Sequence, residues 1–184
     1  MDYRIAAATA DRWQDVLQVF GTHGDPSWCK CQYFIDPQWN QGAAANEAAL
    51  HRQVCEEQVP AGLLAYRGDV PAGWLQFGPS TRYPRFRPRG HQADEDAWVA
   101  TCFVVRDGYR RQGVATALLA AGIEQAQARG ARILRARPTD TQINAKDSAG
   151  LFTGVLSTFT AAGFQVLGHN RSLALVELDL SRDG

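Results

Sequence analysis

The sequence has no excess of charge, little cysteine and no leader-like segment. Among its 184 residues, 19 lysines and arginines balance 19 aspartates and glutamates, so the formal net charge is zero. A neutral chain lacks the broad electrostatic field that attracts nucleic acid or an anionic membrane, and we expect neither as a partner. The first residues lack the basic and apolar regions of a signal peptide, so a cytoplasmic location is expected.

The four cysteines are too few and too unevenly placed for a disulfide scaffold, and free thiols are expected. A zinc site is an alternative, because His51 and Cys55 lie four residues apart and could join Cys29 and Cys31 in a tetrahedral set. The Cys-x-Cys spacing is tighter than the usual Cys-x2-Cys. We therefore predict structural thiols and no metal.

Two common phosphate-binding loops are also absent, since neither Gly-x-Gly-x-x-Gly nor Gly-x4-Gly-Lys-Ser/Thr occurs. Instead, an apolar run at 98–105 leads into a turn at 110–113 and then into an Ala/Leu-rich helix at 114–129. The first turn of a helix exposes unpaired N–H groups and the positive end of the helix dipole. The pattern predicts a diphosphate site, with Gly113 leaving room for the ligand.

This stretch resembles the coenzyme A-binding motif of the GNAT N-acetyltransferases, Arg/Gln-x-x-Gly-x-Gly/Ala after a hydrophobic strand. Arg110, Gly113 and Ala115 stand at the three defining positions. The order of predicted elements, βααβββαβαββ, also resembles the GNAT fold. The resemblance implies one α/β domain over 1–184, with a mixed, mostly antiparallel sheet, a parallel strand pair at the coenzyme site and helices on both faces.

Periodicity and turn residues predict the other elements. These are a strand at 3–8, helices at 9–20 and 46–58, the second capped by Asn46, a hairpin of 62–66 and 72–77, a strand at 131–136, a helix at 151–159, and strands at 164–167 and 172–180. Residues 22–42 are predicted to be irregular, and 80–94 to form a solvated loop containing Arg82, Arg85, Arg87 and Arg89. The uncharged stretch 148–170 is interpreted as a buried helix and strand, because Gly163 interrupts it.

The resemblance also implies acetyl-coenzyme A as co-substrate. Residues 110–116 would hold its diphosphate, and the main chain of the preceding strand would hold the pantetheine arm and the thioester. The coenzyme-binding residues predicted in this way are Phe103, Val104, Val105, Arg110, Arg111, Gln112, Gly113, Val114, Ala115 and Thr116.

Proton transfer departs from the family pattern. Many GNAT enzymes carry Tyr-x-x-x-Gly-Phe at the last helix, where the tyrosine protonates the departing thiolate, but this chain has Phe159 at that position. A base is needed because an alkylamine is almost wholly protonated at pH 7. Glu95 and Asp96, just before the central strand, are the candidates, with Asp94 and His91 behind them.

The segment 28–34, which contains the Cys-x-Cys motif, resembles a segment of an uncharacterised bacterial subgroup of GNAT proteins. In GNAT folds this region borders the acceptor site, so the resemblance implies that the substrate-binding residues are Trp28, Cys29, Cys31, Tyr33 and Cys102. The four loop arginines could meet an acidic acceptor or the 3′-phosphate of the coenzyme, but a solvated loop is favoured.

These observations predict an N-acetyltransferase that moves an acetyl group from acetyl-coenzyme A directly to a primary amine, a small molecule rather than a protein. No acyl-cysteine is expected, because Cys102 lies in a predicted core strand. The alternatives are a coenzyme A-binding sensor without turnover and a zinc-stabilised interaction module. The acceptor and the oligomeric state stay open, with a homodimer through the closing strands as one possibility.

Overall fold

The computed structural model describes residues 2–86, 96–143 and 149–181. Seven strands of these residues form one sheet in the order β1-β2-β3-β4-β5-β7-β6. The strands are β1 Arg4–Ala7, β2 Gly62–Arg67, β3 Val70–Pro79, β4 Ala97–Val105, β5 Ile133–Ala136, β6 Gln165–Asn170 and β7 Leu173–Asp179. The helices are α1 Trp13–Phe20, α2 Gly24–Cys29, α3 Ala43–Glu56, α4 Val114–Ala128 and α5 Leu156–Ala161.

The centre of the sheet contains the predicted parallel pair. β4 and β5 run parallel from the pair Ala97–Ile133 to the pair Ala100–Ala136, whereas the other neighbouring strands are antiparallel. β4 continues to Val105, but β5 ends at Ala136, so the second half of β4 has no partner in β5. The two strands therefore part at their carboxyl ends and leave a gap, and the predicted fold class is confirmed.

A β-bulge marks the point where the strands part. Gln76 of β3 pairs with Cys102, and Phe77 pairs with Ala100, so Thr101 is an extra residue in β4. The Thr101 hydroxyl donates to Gln76 Oε1 at 2.8 Å, and both side chains are buried. This bond satisfies two buried polar groups at the bulge.

Helices cover the two faces of the sheet, and each face has its own core. α4 packs against Leu75 and the neighbouring apolar residues of β2 to β4. α1 and α3 pack on the opposite face, around Trp74 and Leu64. A Cβ atom added to Gly73 of β3 would lie 2.6 Å from Val114 Cγ1, so this glycine allows the first turn of α4 to approach the sheet.

Two predicted helix starts are wrong. α3 begins at Ala43, three residues before Asn46, whose buried amide donates to the Trp28 carbonyl at 2.9 Å instead of capping a helix. α5 begins at Leu156, because Gly154 adopts φ +83 and interrupts the helix that the apolar spacing from 151 suggested. Residues 149–151 form a separate 3₁₀ turn.

Two segments are more ordered than predicted. Residues 22–42 contain α2 and two 3₁₀ turns. The first part of the arginine loop is packed rather than solvated, since Tyr83 and Phe86 are buried. Arg87 and Arg89 lie outside the described residues. Within the described ranges, none of the helices has the length and apolar character needed to cross a membrane.

Candidate active site

The turn between β4 and α4 presents a helix N-terminus without a side-chain cap. Gly113 stands at the N-cap with φ +87, and no side chain caps the helix there. The first helical bond runs from the Ala117 N–H to the Gly113 carbonyl at 3.0 Å. The preceding N–H groups of the 15-residue helix therefore have no acceptor within it, which is the arrangement that binds anions.

Contacts with β1, β2 and β4 hold this turn in place. Gln112 accepts one hydrogen bond from Arg67 at its side chain and one from the Tyr3 hydroxyl at its carbonyl, both at 3.0 Å. Arg110 pairs with Asp107 at 2.8 Å and donates to the Val105 carbonyl at 3.3 Å. Arg111 is exposed beside them. The turn therefore combines a fixed backbone with two arginines at its surface.

Main-chain groups of β4 line the gap between β4 and β5. In an antiparallel strand pair, the main-chain N–H and C=O groups of every second residue point toward the partner strand. The Arg106 N–H donates to the Ala72 carbonyl, which shows which residues of β4 point toward β3. Val104 therefore bonds to β3, whereas Phe103 and Val105 face the gap. The Phe103 N–H donates to the Phe152 carbonyl at 2.6 Å, so the chain before α5 reaches into the gap.

Two buried hydroxyls lie close to this contact. The side-chain oxygens of Thr139 and Thr153 are buried and have no hydrogen-bond partner among the described residues. The Thr139 N–H donates to the carbonyl of Gly154, the residue after Thr153, at 2.9 Å. Each hydroxyl keeps a proton that it can donate. Neither threonine is predictable from the sequence, because an isolated threonine carries no motif.

Phe159 lies on the α4 side of the gap and is fully buried. Its ring is edge-on to Phe103, at 6.0 Å between centroids, and to Phe164, at 5.1 Å. The side chain at the family's usual tyrosine position is therefore part of the core.

The predicted thiols lie on the opposite face of β4 from α4. Cys31 and Cys102 are buried within the same core cluster. Burial, with contributions from Cys102, raises the pKa of the Cys31 thiol well above its ordinary value. Burial also raises the pKa of Cys29 to about 12. Thiols that stay protonated are poor nucleophiles, so this environment gives no support to a covalent acyl-cysteine.

His51 and Cys55 do lie together on α3, with 3.5 Å between Nε2 and Sγ. Within residues 2–86, 96–143 and 149–181, however, no three His, Cys, Asp or Glu side chains gather as a metal site would require. The cysteines in these ranges are free thiols. The zinc alternative finds no support here.

Asp96, one of the two predicted bases, stands apart from the gap. Asp96 is exposed and lies 3.8 Å from Arg132. It precedes β4, about 16 Å along an extended chain from the bulge at Thr101. Glu95 lies outside the described residues, as do Asp94 and His91. Catalysis by Glu95 or Asp96 stays a prediction.

The region predicted to border the acceptor carries six aromatic residues, which we call the aromatic patch: Trp28, Tyr33, Phe34, Trp39, Phe86 and Phe152. Trp39 lies edge-on to Trp28 at 5.0 Å and to Tyr33 at 5.3 Å between ring centroids. Phe34 connects this group to Phe152, whose ring lies 6.5 Å away. Trp28, Tyr33 and Phe152 are exposed. The structure thus joins the predicted Trp28 and Tyr33 in one surface, above the buried thiols.

Two arginines flank the patch. Arg85 lies over the Tyr33 ring at 5.2 Å and donates to the Pro37 carbonyl at 3.0 Å. Arg137 lies over the Phe86 ring at 5.1 Å. Burial lowers the pKa of Arg137, and Tyr33 opposes that shift.

Arg137 is a residue that sequence reasoning missed, although a signal was present. It directly follows β5, and ligands of α/β sheets bind outside the carboxyl ends of parallel strands. Arg82, by contrast, has a structural environment. It pairs with Glu57 at 2.5 Å and donates to the Val59 and Pro60 carbonyls, so the prediction of a solvated Arg82 is wrong.

The fold has counterparts among solved structures. An N-acetyltransferase of Staphylococcus aureus Mu50 superposes with a TM-score of 0.61 at 19% identity, covering 98% of this chain and 100% of the other. The PaiA N-acetyltransferase of Thermoplasma acidophilum, in complex with coenzyme A, gives 0.58 at 12% identity, with coverage of 97% and 99%. YncA of Salmonella typhimurium, with acetyl-coenzyme A, gives 0.59 at 14% identity, with coverage of 98% and 95%.

These likenesses define the class of fold, that of the N-acetyltransferases. The sequence itself matches the family model described as the acetyltransferase (GNAT) family over residues 18–153. This protein belongs to the GNAT family. No curated protein matches the sequence.

Proposed function

We propose that this protein is an N-acetyltransferase that moves an acetyl group from acetyl-coenzyme A directly to the primary amine of a small molecule. The observation that carries the proposal is the gap between β4 and β5, which opens beside the uncapped N-terminus of α4. Coenzyme A and acetyl-coenzyme A are bound by proteins of the same fold. A single domain, a cytoplasmic location and no nucleic acid or membrane partner complete the proposal.

The residues of the turn fit a diphosphate. The N–H groups of Val114, Ala115 and Thr116 have no acceptor within the helix, and the positive end of the α4 dipole adds attraction for an anion. Arg110 and Arg111 supply charge at the rim. Bound there, acetyl-coenzyme A supplies an activated acyl group as a thioester.

The pantetheine arm would extend along the gap-facing edge of β4. Phe103 and Val105 offer main-chain groups on that edge, but the Phe103 N–H is bonded to the Phe152 carbonyl. Binding through this N–H requires Phe152 to withdraw. The same N–H could then orient the thioester carbonyl and stabilise the negative charge that develops on its oxygen.

Proton transfer would use groups other than the family tyrosine. Phe159 has no proton to donate, whereas the hydroxyls of Thr139 and Thr153 are buried beside the gap. A thiol with a pKa near 8.5 is a tolerable leaving group close to neutral pH, so a hydroxyl, or water, suffices as donor. Glu95 or Asp96 remains the proposed acceptor of the amine proton. Asp96 would have to receive it over several water molecules, because it stands about 16 Å along β4 from the bulge.

Two observations favour a second candidate, a coenzyme A-binding sensor without turnover. Phe159 replaces the proton donor, and Phe152 occupies one of the main-chain groups that the thioester would need.

One experiment separates the two functions. Calorimetry with coenzyme A tests the donor site, and thiol release from acetyl-coenzyme A is then followed over a panel of amino acids, polyamines, aminoglycosides and peptides. Release with any amine above the rate without amine supports the transferase. Binding without release across the panel supports the sensor, and absence of binding contradicts both.

A further inference from the structure

The inner end of the aromatic patch touches the gap where transfer is proposed. The Phe152 carbonyl accepts the Phe103 N–H, while the Phe152 ring lies near Phe34. Arg137 directly follows Ala136, the last residue of β5 that pairs with β4. A guanidinium group and an aromatic surface therefore meet at the mouth of the gap.

Arg85 and Arg137 bring positive charge to the aromatic patch. Arg135, two residues before Arg137, is buried and held by Glu177 at 2.7 Å. Arg85 has a carbonyl and an aromatic ring as partners, and no carboxylate of the described residues forms an ion pair with it. Arg137 packs on the Phe86 ring and is half-buried. A guanidinium group has five N–H donors in a planar fork that matches the geometry of a carboxylate.

The exposed rings define the remainder of the ligand. Trp28, Tyr33 and Phe152 present large apolar surfaces to solvent beside these two arginines. Contiguous exposed aromatic surface with a few polar groups at its rim is typical of a binding site. An acceptor that fits both features has an apolar side group and a carboxylate.

The distance between the reacting amine and the carboxylate restricts the class of acceptor further. In a free α-amino acid the amine and the carboxylate share one carbon atom, so the carboxylate site must lie close to the point of transfer. Arg137 meets this condition because it stands where β4 and β5 part.

We propose that the acceptor is a free α-amino acid with an apolar or aromatic side chain, whose carboxylate binds Arg137 and Arg85 and whose side chain lies on the aromatic patch. This assignment rests on the proposed transferase function.

The test uses matched pairs of acceptors that differ only by the carboxylate. With the full chain and acetyl-coenzyme A, kcat/KM is measured for L-phenylalanine against 2-phenylethylamine, and for L-leucine against 3-methylbutylamine. Loss of a charge-assisted hydrogen bond predicts a preference of about tenfold or more for each amino acid. Equal or faster release with the amines lacking a carboxylate would overturn the assignment and leave the transferase standing.

Substitutions test whether Arg137 and Arg85 cause the preference for a carboxylate. Arg137→Gln and Arg85→Gln are each expected to raise KM for L-phenylalanine about tenfold while KM for 2-phenylethylamine stays unchanged. Arg137→Lys keeps the charge but not the planar fork and should fall between. Arg129→Gln, at the exposed end of α4, is the control. Equal KM changes for both acceptors would contradict carboxylate binding by these arginines.

A binding measurement separates failure of the assignment from failure of the proposed function. If no amine causes thiol release, calorimetry of the coenzyme A-bound protein with L-phenylalanine and 2-phenylethylamine tests the ligand assignment directly. Selective binding of the amino acid, lost in Arg137→Gln, would retain the ligand assignment without turnover. Absence of selective binding would overturn it.

Discussion

Gly154 is a residue whose conformation and surroundings both restrict substitution. It adopts φ +83, and a Cβ atom there would lie 2.8 Å from Phe159 Cε2 and 3.4 Å from Phe103 Cε2. Alanine would therefore combine backbone strain with overpacking against two rings. The turn before α5 depends on this glycine, and this turn positions the Phe152 carbonyl.

We expect Gly154→Ala to lower the free energy of unfolding by about 1–3 kcal/mol. Urea denaturation measures the change. Gly168→Ala is the matched control, because a Cβ there has nothing within 4 Å and its φ is not in the left-handed region. Equal stability of the two variants would contradict the packing argument.

Substitution of Thr153 distinguishes a role of its hydroxyl in catalysis from a role in stability. Its buried hydroxyl has no hydrogen-bond partner among the described residues, so Thr153→Val should leave stability unchanged or slightly higher. If the hydroxyl protonates the departing thiolate, kcat should fall by about 100-fold. Thiol release and urea denaturation are measured on the same sample.

The control for this variant is Thr101→Val. Thr101 donates to Gln76 in the core, so its loss should cost about 1 kcal/mol or more of stability. Unchanged kcat in Thr153→Val would remove the proton-donor role.

At the scale of secondary elements, the N-terminus of α4 is the part on which the proposed coenzyme binding depends. Its N–H groups are fixed by the turn, whereas Arg110 and Arg111 act through their side chains. Arg110→Gln and Arg111→Gln should each weaken coenzyme A binding about tenfold, because each removes a charge-assisted contact with phosphate. Calorimetry measures the affinity.

Arg129→Gln again serves as control, since it lies at the other end of the same helix. The effect of both turn variants should shrink at high salt, because exposed charges are screened. An affinity unchanged in both Arg110→Gln and Arg111→Gln would place the diphosphate elsewhere.

The thiols at the end of α2 and just after it, Cys29 and Cys31, give the stability a pH dependence. The pKa of Cys29 rises from an ordinary value near 9 to about 12, and burial raises that of Cys31 as well. Between pH 9 and pH 12 the unfolded chain loses thiol protons that the folded chain keeps, so the folded state binds more protons than the unfolded state. Stability contributed in this way is present below pH 9 and is lost as the pH rises toward 12.

We therefore expect the urea midpoint to fall between pH 8 and pH 10.5, and to fall less in Cys29→Ala. Cys55→Ala is the control, because Cys55 is exposed. A Cys29→Ala variant with the same alkaline loss as the parent would contradict the assigned cause.

At the scale of the whole molecule, the sequence predicted what depends on periodicity and missed what depends on contacts made across the fold. The alternation and apolar runs of β2, β3 and β4 and the turn before α4 were evident from local pattern. Asn46 was misread because its amide bonds to the Trp28 carbonyl, eighteen positions earlier. Arg82 was misread for the same reason, since its partners are Glu57, Val59 and Pro60.

The residues of the candidate site fall into the same two groups, those with a local sequence signal and those without one. Trp28 and Tyr33 were predicted from an unusual local segment, and the structure brings both against Trp39. Their contact with an acceptor stays a prediction. Arg137 and Thr153 were not found, because their significance comes from where β5 ends and from what surrounds a buried hydroxyl. Neither property has a signature in the neighbouring residues.

The parting of β4 from β5 also bears on how such a protein can diverge. Main-chain groups are the same whatever the side chain, so a ligand read by the edge of a strand places few demands on residue identity. Proteins that share this fold at 12–19% identity are consistent with that freedom. Under the proposed function, selection for a new acceptor can then act on the aromatic patch and its arginines while the proposed coenzyme site keeps its geometry.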